Sequence, residues 1–219
     1  MKRLGEVGLR TVAGVAMILV ALTAEWFGGT VFAVFVAAAA TVMYYEWARL
    51  VRGWGFGWNA AGFLYALIPA LALLWVRERA EVPGGYDEGF SLVLWAFIVT
   101  WAADIGAFFA GRAFGGPKLA PSISPNKTIS GLVGGVIAAT LLAGIWAMQR
   151  DLHWLWLLFA PLFALAAAGG DLFESWLKRK AGVKDAGAII PGHGGVLDRL
   201  DGLVPVAVLT GVAVVAGVR

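Results

Sequence analysis

The chain has 219 residues, of which 60% are hydrophobic and only 14% are charged, and it contains no cysteine. A soluble domain of this size would carry roughly a quarter charged residues and a little under half apolar ones. The apolar excess is too large for a core and must face lipid, so the composition predicts an integral membrane protein. The missing cysteines exclude a disulfide framework and a thiolate metal site. The net charge of +3 is modest, and we expect no nucleic-acid partner.

Seven apolar stretches approach the length of about 20 residues that a transmembrane helix requires. They lie at residues 8–25, 30–48, 60–78, 90–110, 130–148, 153–170 and 203–218. The first and the last are the weakest, because Glu25 interrupts one and the other is short. The first follows Lys2, Arg3 and Arg10 but lacks the small residues of a signal-peptide cleavage site, so we expect it to be retained. The pattern predicts an all-α, polytopic membrane bundle of about seven transmembrane helices.

The distribution of lysine and arginine predicts the orientation of this bundle. With a cytoplasmic N-terminus, all but four of the 17 basic residues fall in segments on the cytoplasmic side, as the positive-inside rule requires. The four on the other side are Arg77, Arg79, Arg150 and Arg219. We divide the chain into N-terminal spans at residues 1–89 and a C-terminal transmembrane region at 90–219, which the polar motifs described below predict to be catalytic. The cytoplasmic loops of that region are predicted at residues 111–128 and 171–202.

Carboxylates gather near the predicted cytoplasmic surface of the C-terminal region. Asp104 lies inside an apolar run, where an ionisable group costs about 2.5–3.5 kcal/mol and faces a neighbouring helix or a polar cavity. Asp171 and Glu174 are three residues apart and share a helix face. Asp198 and Asp201 repeat that spacing. Such acids beside cations suit Mg²⁺, which takes one or two carboxylates plus the phosphate oxygens of a substrate.

Basic residues and glycines accompany these acids. Lys178, Arg179 and Lys184 are candidates for phosphate contacts, although the positive-inside rule alone would also explain them. Glycines surround His193 within residues 192–195 and allow the backbone to approach an anion closely. An isolated histidine is more often structural, but we interpret this one, in a polar glycine loop, as functional.

The segment before the fifth span offers a further anion site. Ser124, Lys127 and Thr128 lie where the free amides of a helix N-terminus favour a bound anion, with Lys127 as a point charge. The alternative is that Thr128 or Ser130 simply caps that helix.

Two blocks in the C-terminal half match the signature of a known family. The longer block reads Ser175-x-x-Lys178-Arg179-x(4)-Lys184-Asp185-x-Gly187-x(3)-Pro191-x-His193-Gly194-Gly195-x-x-Asp198-Arg199-x-Asp201. The other runs from Asp104 to Gly131 and contains Ser124-Pro125-x-Lys127-Thr128. With these residues the chain resembles phosphatidate cytidylyltransferases, also called CDP-diacylglycerol synthases. Several members of that family are longer at the N-terminus, which would fit eight or nine spans.

The resemblance implies a reaction, a cofactor and a set of site residues. CTP and phosphatidic acid would give CDP-diacylglycerol and pyrophosphate, with Mg²⁺ as the cofactor and a monovalent cation as a second candidate that the residues leave open. The enzyme would be a homodimer in the bacterial inner membrane, with its site facing the cytoplasm. The implied metal ligands are Asp171 and Asp198, and the implied catalytic residues are Asp171, Asp198, Asp201, Lys127 and His193. Substrate contacts are expected from Asp104, Arg112, Lys118, Ser124, Lys127, Thr128, Lys178, Arg179, Lys184, Gly194, Gly195 and Arg199.

Other functions fit parts of the pattern. A CDP-alcohol phosphotransferase shares Asp198-Arg-Leu-Asp201-Gly202, but its further aspartates are absent after Asp201. A CTP-dependent lipid kinase, or a cytidylyltransferase for a different lipid phosphate, is a closer alternative. A transporter would use Asp104 as a relay and would spread polar residues through its spans, whereas here they crowd on one side. A catalytically inactive subunit is disfavoured by the intact acids.

Overall fold

The structure is a computed structural model that describes residues 2–79, 87–190 and 194–218, without the side chains of 2–7, 9 and 10. The described helices are α1 (Lys2–Phe27), α2 (Gly29–Leu50), α3 (Phe56–Arg77), α4 (Glu88–Phe114), α5 (Ile129–Gln149), α6 (Leu155–Lys180), α7 (Leu197–Leu200) and α8 (Leu203–Val215). The strands β1 (Lys118–Ala120) and β2 (Ser124–Thr128) form an antiparallel hairpin between α4 and α5. The predicted helical membrane bundle is confirmed, and this hairpin is its one described sheet.

Five helices, α2 to α6, are long and apolar enough to cross a membrane. The apolar part of α1, Thr11–Phe27, and the 13-residue helix α8 are shorter. Apolar helices therefore lie at all seven predicted positions, while seven complete crossings stay a prediction.

Both predicted cytoplasmic loops begin later in the structure than the sequence predicts. Helix α4 continues to Phe114 and α6 to Lys180, so the first residues of loops 111–128 and 171–202 are helical. Hydropathy marks where lipid contact ends, but a helix keeps its backbone hydrogen bonds beyond that point when the residues that follow are good helix formers. The consequence is that Asp171, Lys178 and Arg179 have positions fixed by a helix.

Helices α4 and α5 approach each other closely because small residues line their contact. A Cβ added to Gly135 would lie 2.6 Å from the carbonyl oxygen of Ala103, and one added to Gly106 would lie 2.5 Å from Cβ of Ala138. In lipid, where no hydrophobic force drives helices together, such close backbone packing is a main source of association. The contact aligns the end of α4 with the start of α5.

We expect Gly135→Ala to destabilise the bundle by about 1–3 kcal/mol, since the new methyl group must displace the α4 backbone. Gly169→Ala is the matched control, because a Cβ at that α6 position meets nothing within 4 Å and alanine is the better helix former. Thermal unfolding in detergent measures both variants. Equal unfolding midpoints would contradict the packing described for α4 and α5.

A buried ion cluster joins three helices at the end of the bundle where α1 and α3 finish and α4 begins. Arg77 Nε lies 2.9 Å from Glu25 Oε1, and Arg77 Nη1 lies 2.9 Å from Asp87 Oδ2. Asp87 also caps α4, accepting a hydrogen bond from the Phe90 N–H. Glu25 is 0% exposed, so the acid that interrupts the first predicted span is a paired interior residue.

Candidate active site

A cavity of about 680 Å³ lies between the last turns of α4, strand β2, the first turns of α5 and the middle of α6. Its walls are mostly small or apolar residues of the three helices. The polar side chains that line it are Asp104, Arg112, Asn126, Lys127, Thr128 and Asp171. Residues of the Asp104–Gly131 block and Asp171, which precedes the longer block, therefore line one cavity.

An ion pair between Lys127 and Asp171 connects β2 to α6 across this cavity. Both side chains are partly exposed, at 25% and 30%. The hairpin register, in which Lys118 pairs with Thr128, fixes the backbone next to Lys127. On the α6 side, Ser175 Oγ lies 3.4 Å from Asp171 Oδ1 and donates to it. A predicted catalytic lysine and a predicted metal ligand thus meet, although 44 positions separate them in the sequence.

Asp198 on α7 has more partners than the other acids of the site. Lys178 Nζ lies 2.6 Å from Asp198 Oδ1 and 2.5 Å from Glu174 Oε2. The backbone N–H groups of Gly195 and Ala186 donate to Asp198 Oδ2 at 2.7 and 3.0 Å. Burial alone would raise the pKa of Asp198, but the hydrogen bonds from Lys178 and Gly195 hold it below its usual range. Asp198 is therefore a fixed, ionised carboxylate, and Lys178 bridges two acids.

The glycines beside Asp198 serve this arrangement. Gly194 has φ of +82°, a left-handed conformation that disfavours other residues, and a Cβ there would lie 2.7 Å from Asp198 Oδ2. The Gly195 N–H, which we predicted to contact a substrate anion, donates to Asp198 in this structure.

Asp201, between α7 and α8, is 9% exposed and accepts a hydrogen bond of 2.8 Å from the Gly202 N–H. Burial raises the pKa of the Asp201 carboxyl above its usual value, and the nearby charges of Asp171 and Asp104 raise it further. Three acids thus share one neighbourhood, and a bound cation would relieve their mutual repulsion.

These carboxylates fit the chemistry of a hard divalent cation. Among the residues that the structure describes, no three acid or histidine side chains form a ready-made metal cage, but Mg²⁺ bound with a phosphate substrate needs only one or two carboxylates. Asp171 lines the cavity, whereas both oxygens of Asp198 are already engaged. Metal binding by the pair of Asp171 and Asp198 stays a prediction, and Asp201, whose pKa the charge of Asp171 raises, is a further candidate ligand.

Arg179 binds the hairpin in this structure. Its Nε donates to the Ile123 carbonyl at 3.2 Å and its Nη1 to the Val183 carbonyl at 3.1 Å. The predicted phosphate contact of Arg179 would have to replace these bonds. Arg179 thus holds the β1–β2 turn against the end of α6.

The segment before α5 resolves one alternative left open by the sequence. Thr128 caps α5 by accepting a hydrogen bond of 3.0 Å from the Gly131 N–H, so the simple-cap interpretation is correct for Thr128. Ser130 instead donates to the Gly115 carbonyl. Ser124 and Lys127 belong to strand β2, not to the first turn of α5, so an anion there would meet a strand edge.

The remaining predicted contact residues are dispersed. Arg112 is exposed and lines the main cavity, and Lys118 is exposed on β1. Lys184 is exposed on the segment after α6. Arg199 lines a second, mainly apolar cavity of about 100 Å³ between α2, α3, α4 and α8. The prediction for His193 falls outside the described residues.

Two features escaped the sequence interpretation. Glu46, on α2, is 1% exposed, and its Oε2 accepts a hydrogen bond of 2.8 Å from the Leu197 N–H, immediately before Asp198. An acid near the end of an apolar run was the available signal. The second feature is Lys180, whose Nζ lies 4.3 to 5.2 Å from the ring centroids of three tryptophans, namely Trp54, Trp58 and Trp176.

Comparison with known proteins decides the family. Residues 57–216 match the model of the Cytidylyltransferase family. The chain belongs to this family. It is 36% identical to a phosphatidate cytidylyltransferase of Brucella suis biovar 1, an alignment that covers 91% of this chain and 90% of the relative.

Two further relatives carry the same name and match a shorter part. The protein of Staphylococcus epidermidis is 48% identical over 52% of this chain and 45% of its own length. The protein of Helicobacter pylori is 43% identical over 64% of this chain and 50% of its own length. The resemblance inferred from the residues is confirmed, and the chain is a membrane-embedded nucleotidyltransferase.

Proposed function

We propose that this cytidylyltransferase makes CDP-diacylglycerol from CTP and phosphatidic acid, for phospholipid synthesis, at the cytoplasmic face of the bacterial inner membrane. A phosphate oxygen of phosphatidate forms a bond to the α-phosphorus of CTP. The bond from that phosphorus to the bridging oxygen breaks, and pyrophosphate leaves with the electron pair. No covalent intermediate with the protein is required, because such transfers depend mainly on positioning and charge stabilisation.

The observation that carries this proposal is the cavity spanned by Lys127 and Asp171. It combines a basic and acidic lining with apolar helix walls. A lipid phosphate can enter such a cavity while its acyl chains stay in the bilayer, and a nucleotide can arrive from water. The excess of basic residues in the segments that form it supports a cytoplasmic opening.

The polar residues in and near the cavity have different roles in this proposal. Lys127 and Arg112 would bind phosphate oxygens, and Asn126 would donate a further hydrogen bond. Asp171 and Asp201 would hold Mg²⁺, which when bound neutralises phosphate charge and makes the α-phosphorus more electrophilic. Asp198 would keep its bonds to Lys178 and the backbone amides and so fix the segment that leads to Asp201.

The test is turnover by purified protein in vesicles that contain phosphatidic acid, with CTP and Mg²⁺ added. We expect CDP-diacylglycerol as the lipid product by mass spectrometry, and we expect a chelator of divalent cations to stop its formation. Vesicles with a polyprenyl phosphate in place of phosphatidic acid report on the alternative lipid substrate. Failure to form CDP-diacylglycerol, while a relative of known activity succeeds in the same vesicles, would overturn the proposal.

A further inference from the structure

Glu46 lies 151 positions before the residue that it binds. Its carboxylate is inside the bundle, Oε2 accepts from the Leu197 N–H, and Oε1 has no hydrogen-bond partner among the described residues. An ionisable side chain in such a place is costly. A packing role alone would be better served by an apolar residue, so the position calls for a specific task.

Two glycines of the long sequence block enclose this carboxylate. A Cβ added to Gly187 would lie 2.8 Å from Glu46 Cδ, and one added to Gly195 would lie 2.5 Å from Glu46 Oε1. Real Cβ atoms do not approach so closely. The need for glycine at both positions therefore comes from the Glu46 carboxylate, which occupies the space that side chains would take.

The same backbone segment holds Asp198 from its other side. Ala186, which precedes Gly187, and Gly195 supply the two backbone N–H groups that donate to Asp198. Leu197, which donates to Glu46, immediately precedes Asp198. The segment is closed by the bridge between Ile190 and Gly194. Glu46 thus contacts Gly195 and Leu197 directly, and it lies against Gly187, the neighbour of Ala186.

We propose that Glu46 is a positioning residue of the active site, whose buried carboxylate holds the backbone at Gly187, Gly195 and Leu197 so that Asp198 keeps its orientation. The inference rests on the proposed function for its catalytic consequence. It assigns a task to the N-terminal half of the chain, where the family signature has no residue. Outer partners of this kind change activity by about 10- to 100-fold when they are removed.

Two substitutions of Glu46 test the proposal in the full-length protein. For Glu46→Ala we expect kcat to fall about 10- to 100-fold and the KM values for CTP and phosphatidate to stay within about twofold, because the cavity itself is intact. For Glu46→Gln, which keeps an acceptor for the Leu197 N–H, we expect most of the lost kcat to return. Glu25→Ala is the matched control, a buried acid outside the site, and it should lower the unfolding temperature while kcat stays unchanged.

Amide hydrogen exchange in detergent supplies a readout that does not depend on activity. We expect Glu46→Ala to speed exchange at Ala186, Gly195 and Leu197 and to leave α5 unaffected, whereas Glu46→Gln should keep the Leu197 amide protected. Should Glu46→Ala fail to fold, Gly187→Ala perturbs the same contact from the opposite side. In a chain that retains Glu46, Gly187→Ala should lower kcat and leave KM unchanged.

The outcomes separate the two proposals. If the wild-type protein makes no CDP-diacylglycerol, the proposed function is overturned. Hydrogen exchange would still decide whether Glu46 holds the segment. Unchanged exchange in Glu46→Ala would overturn the inference. Faster exchange with an unchanged kcat would overturn it as well, because the segment would then be held without consequence for the reaction.

Discussion

Asp171→Asn is expected to lower the rate of CDP-diacylglycerol formation by on the order of 1000-fold, because it removes one charge from the acids that line the cavity. The substitution keeps the size of the side chain. Since Asp171 is 30% exposed and its partner Lys127 reaches solvent, the loss of this ion pair should change the free energy of unfolding by no more than about 1 kcal/mol. Turnover of CTP in vesicles and thermal unfolding in detergent measure the two effects.

Asp151→Asn is the matched control for this variant. Asp151 is exposed, lies outside the cavity and has φ of +51°, a conformation that asparagine adopts readily. We expect normal turnover and normal stability. If Asp171→Asn kept turnover within about tenfold of the wild type, the role given to Asp171 in charge stabilisation would be wrong.

Lys178→Met is expected to reduce stability by about 3–5 kcal/mol, because it leaves two buried carboxylates without their cation. The Glu174 and Asp198 side chains are 1% and 5% exposed, and Lys178 itself is 12% exposed. Methionine retains most of the length of lysine, so the lost charge rather than a cavity causes the effect. Chemical unfolding in mixed micelles gives the free energy, and CDP-diacylglycerol formation should fall with the loss of order around Asp198.

Lys180→Met provides the comparison for Lys178→Met on the same helix. Lys180 contacts the rings of Trp54, Trp58 and Trp176 at the surface, so its removal should cost only about 0.5–1 kcal/mol, the range of an exposed cation–π interaction. Adding Glu174→Gln to Lys178→Met should recover part of the stability, since one buried charge disappears. Equal losses for the two lysine variants would contradict the buried bridge.

The membrane fold was predictable from the sequence because lipid imposes a simple rule on composition. Long apolar runs and the asymmetry of basic residues locate the helices, and the helices lie at the predicted positions. Helix ends were less predictable: α6 passes residue 170 by ten positions, since polar residues such as Lys178 continue a helix as well as apolar ones do. The β1–β2 hairpin was missed because its strands are three and five residues long.

The residue types of the candidate site were predictable, but their partners were not. The family resemblance implied Asp171 and Asp198 as metal ligands and could not show their different surroundings: Asp171 faces Lys127 at the cavity, and Asp198 is engaged by Lys178 and backbone amides. These pairings depend on how α6 packs against β2 and α7. A pattern along one chain carries no signal for contacts between distant segments.

Glu46 illustrates the same limit. Hydropathy identified it as an acid near the end of an apolar span, and nothing in its neighbours linked it to Gly187 and Gly195. The glycines within residues 192–195 predicted the close approach of an anion, and the structure places the Glu46 carboxylate against Gly195. Only the packing of α2 against the segment before α7 reveals that the approaching group is a side chain of the same protein.

The most direct test of the account follows the phosphorus atoms of CTP. Purified protein in phosphatidate vesicles would receive CTP labelled at the α-phosphorus in one reaction and at the γ-phosphorus in another. The account predicts that the α label enters the lipid while the γ label is released as pyrophosphate, in equal amounts. Transfer of the γ label to lipid would identify a lipid kinase, and release of both labels to water would identify hydrolysis. Either result would contradict cytidylyl transfer at the cavity between Lys127 and Asp171.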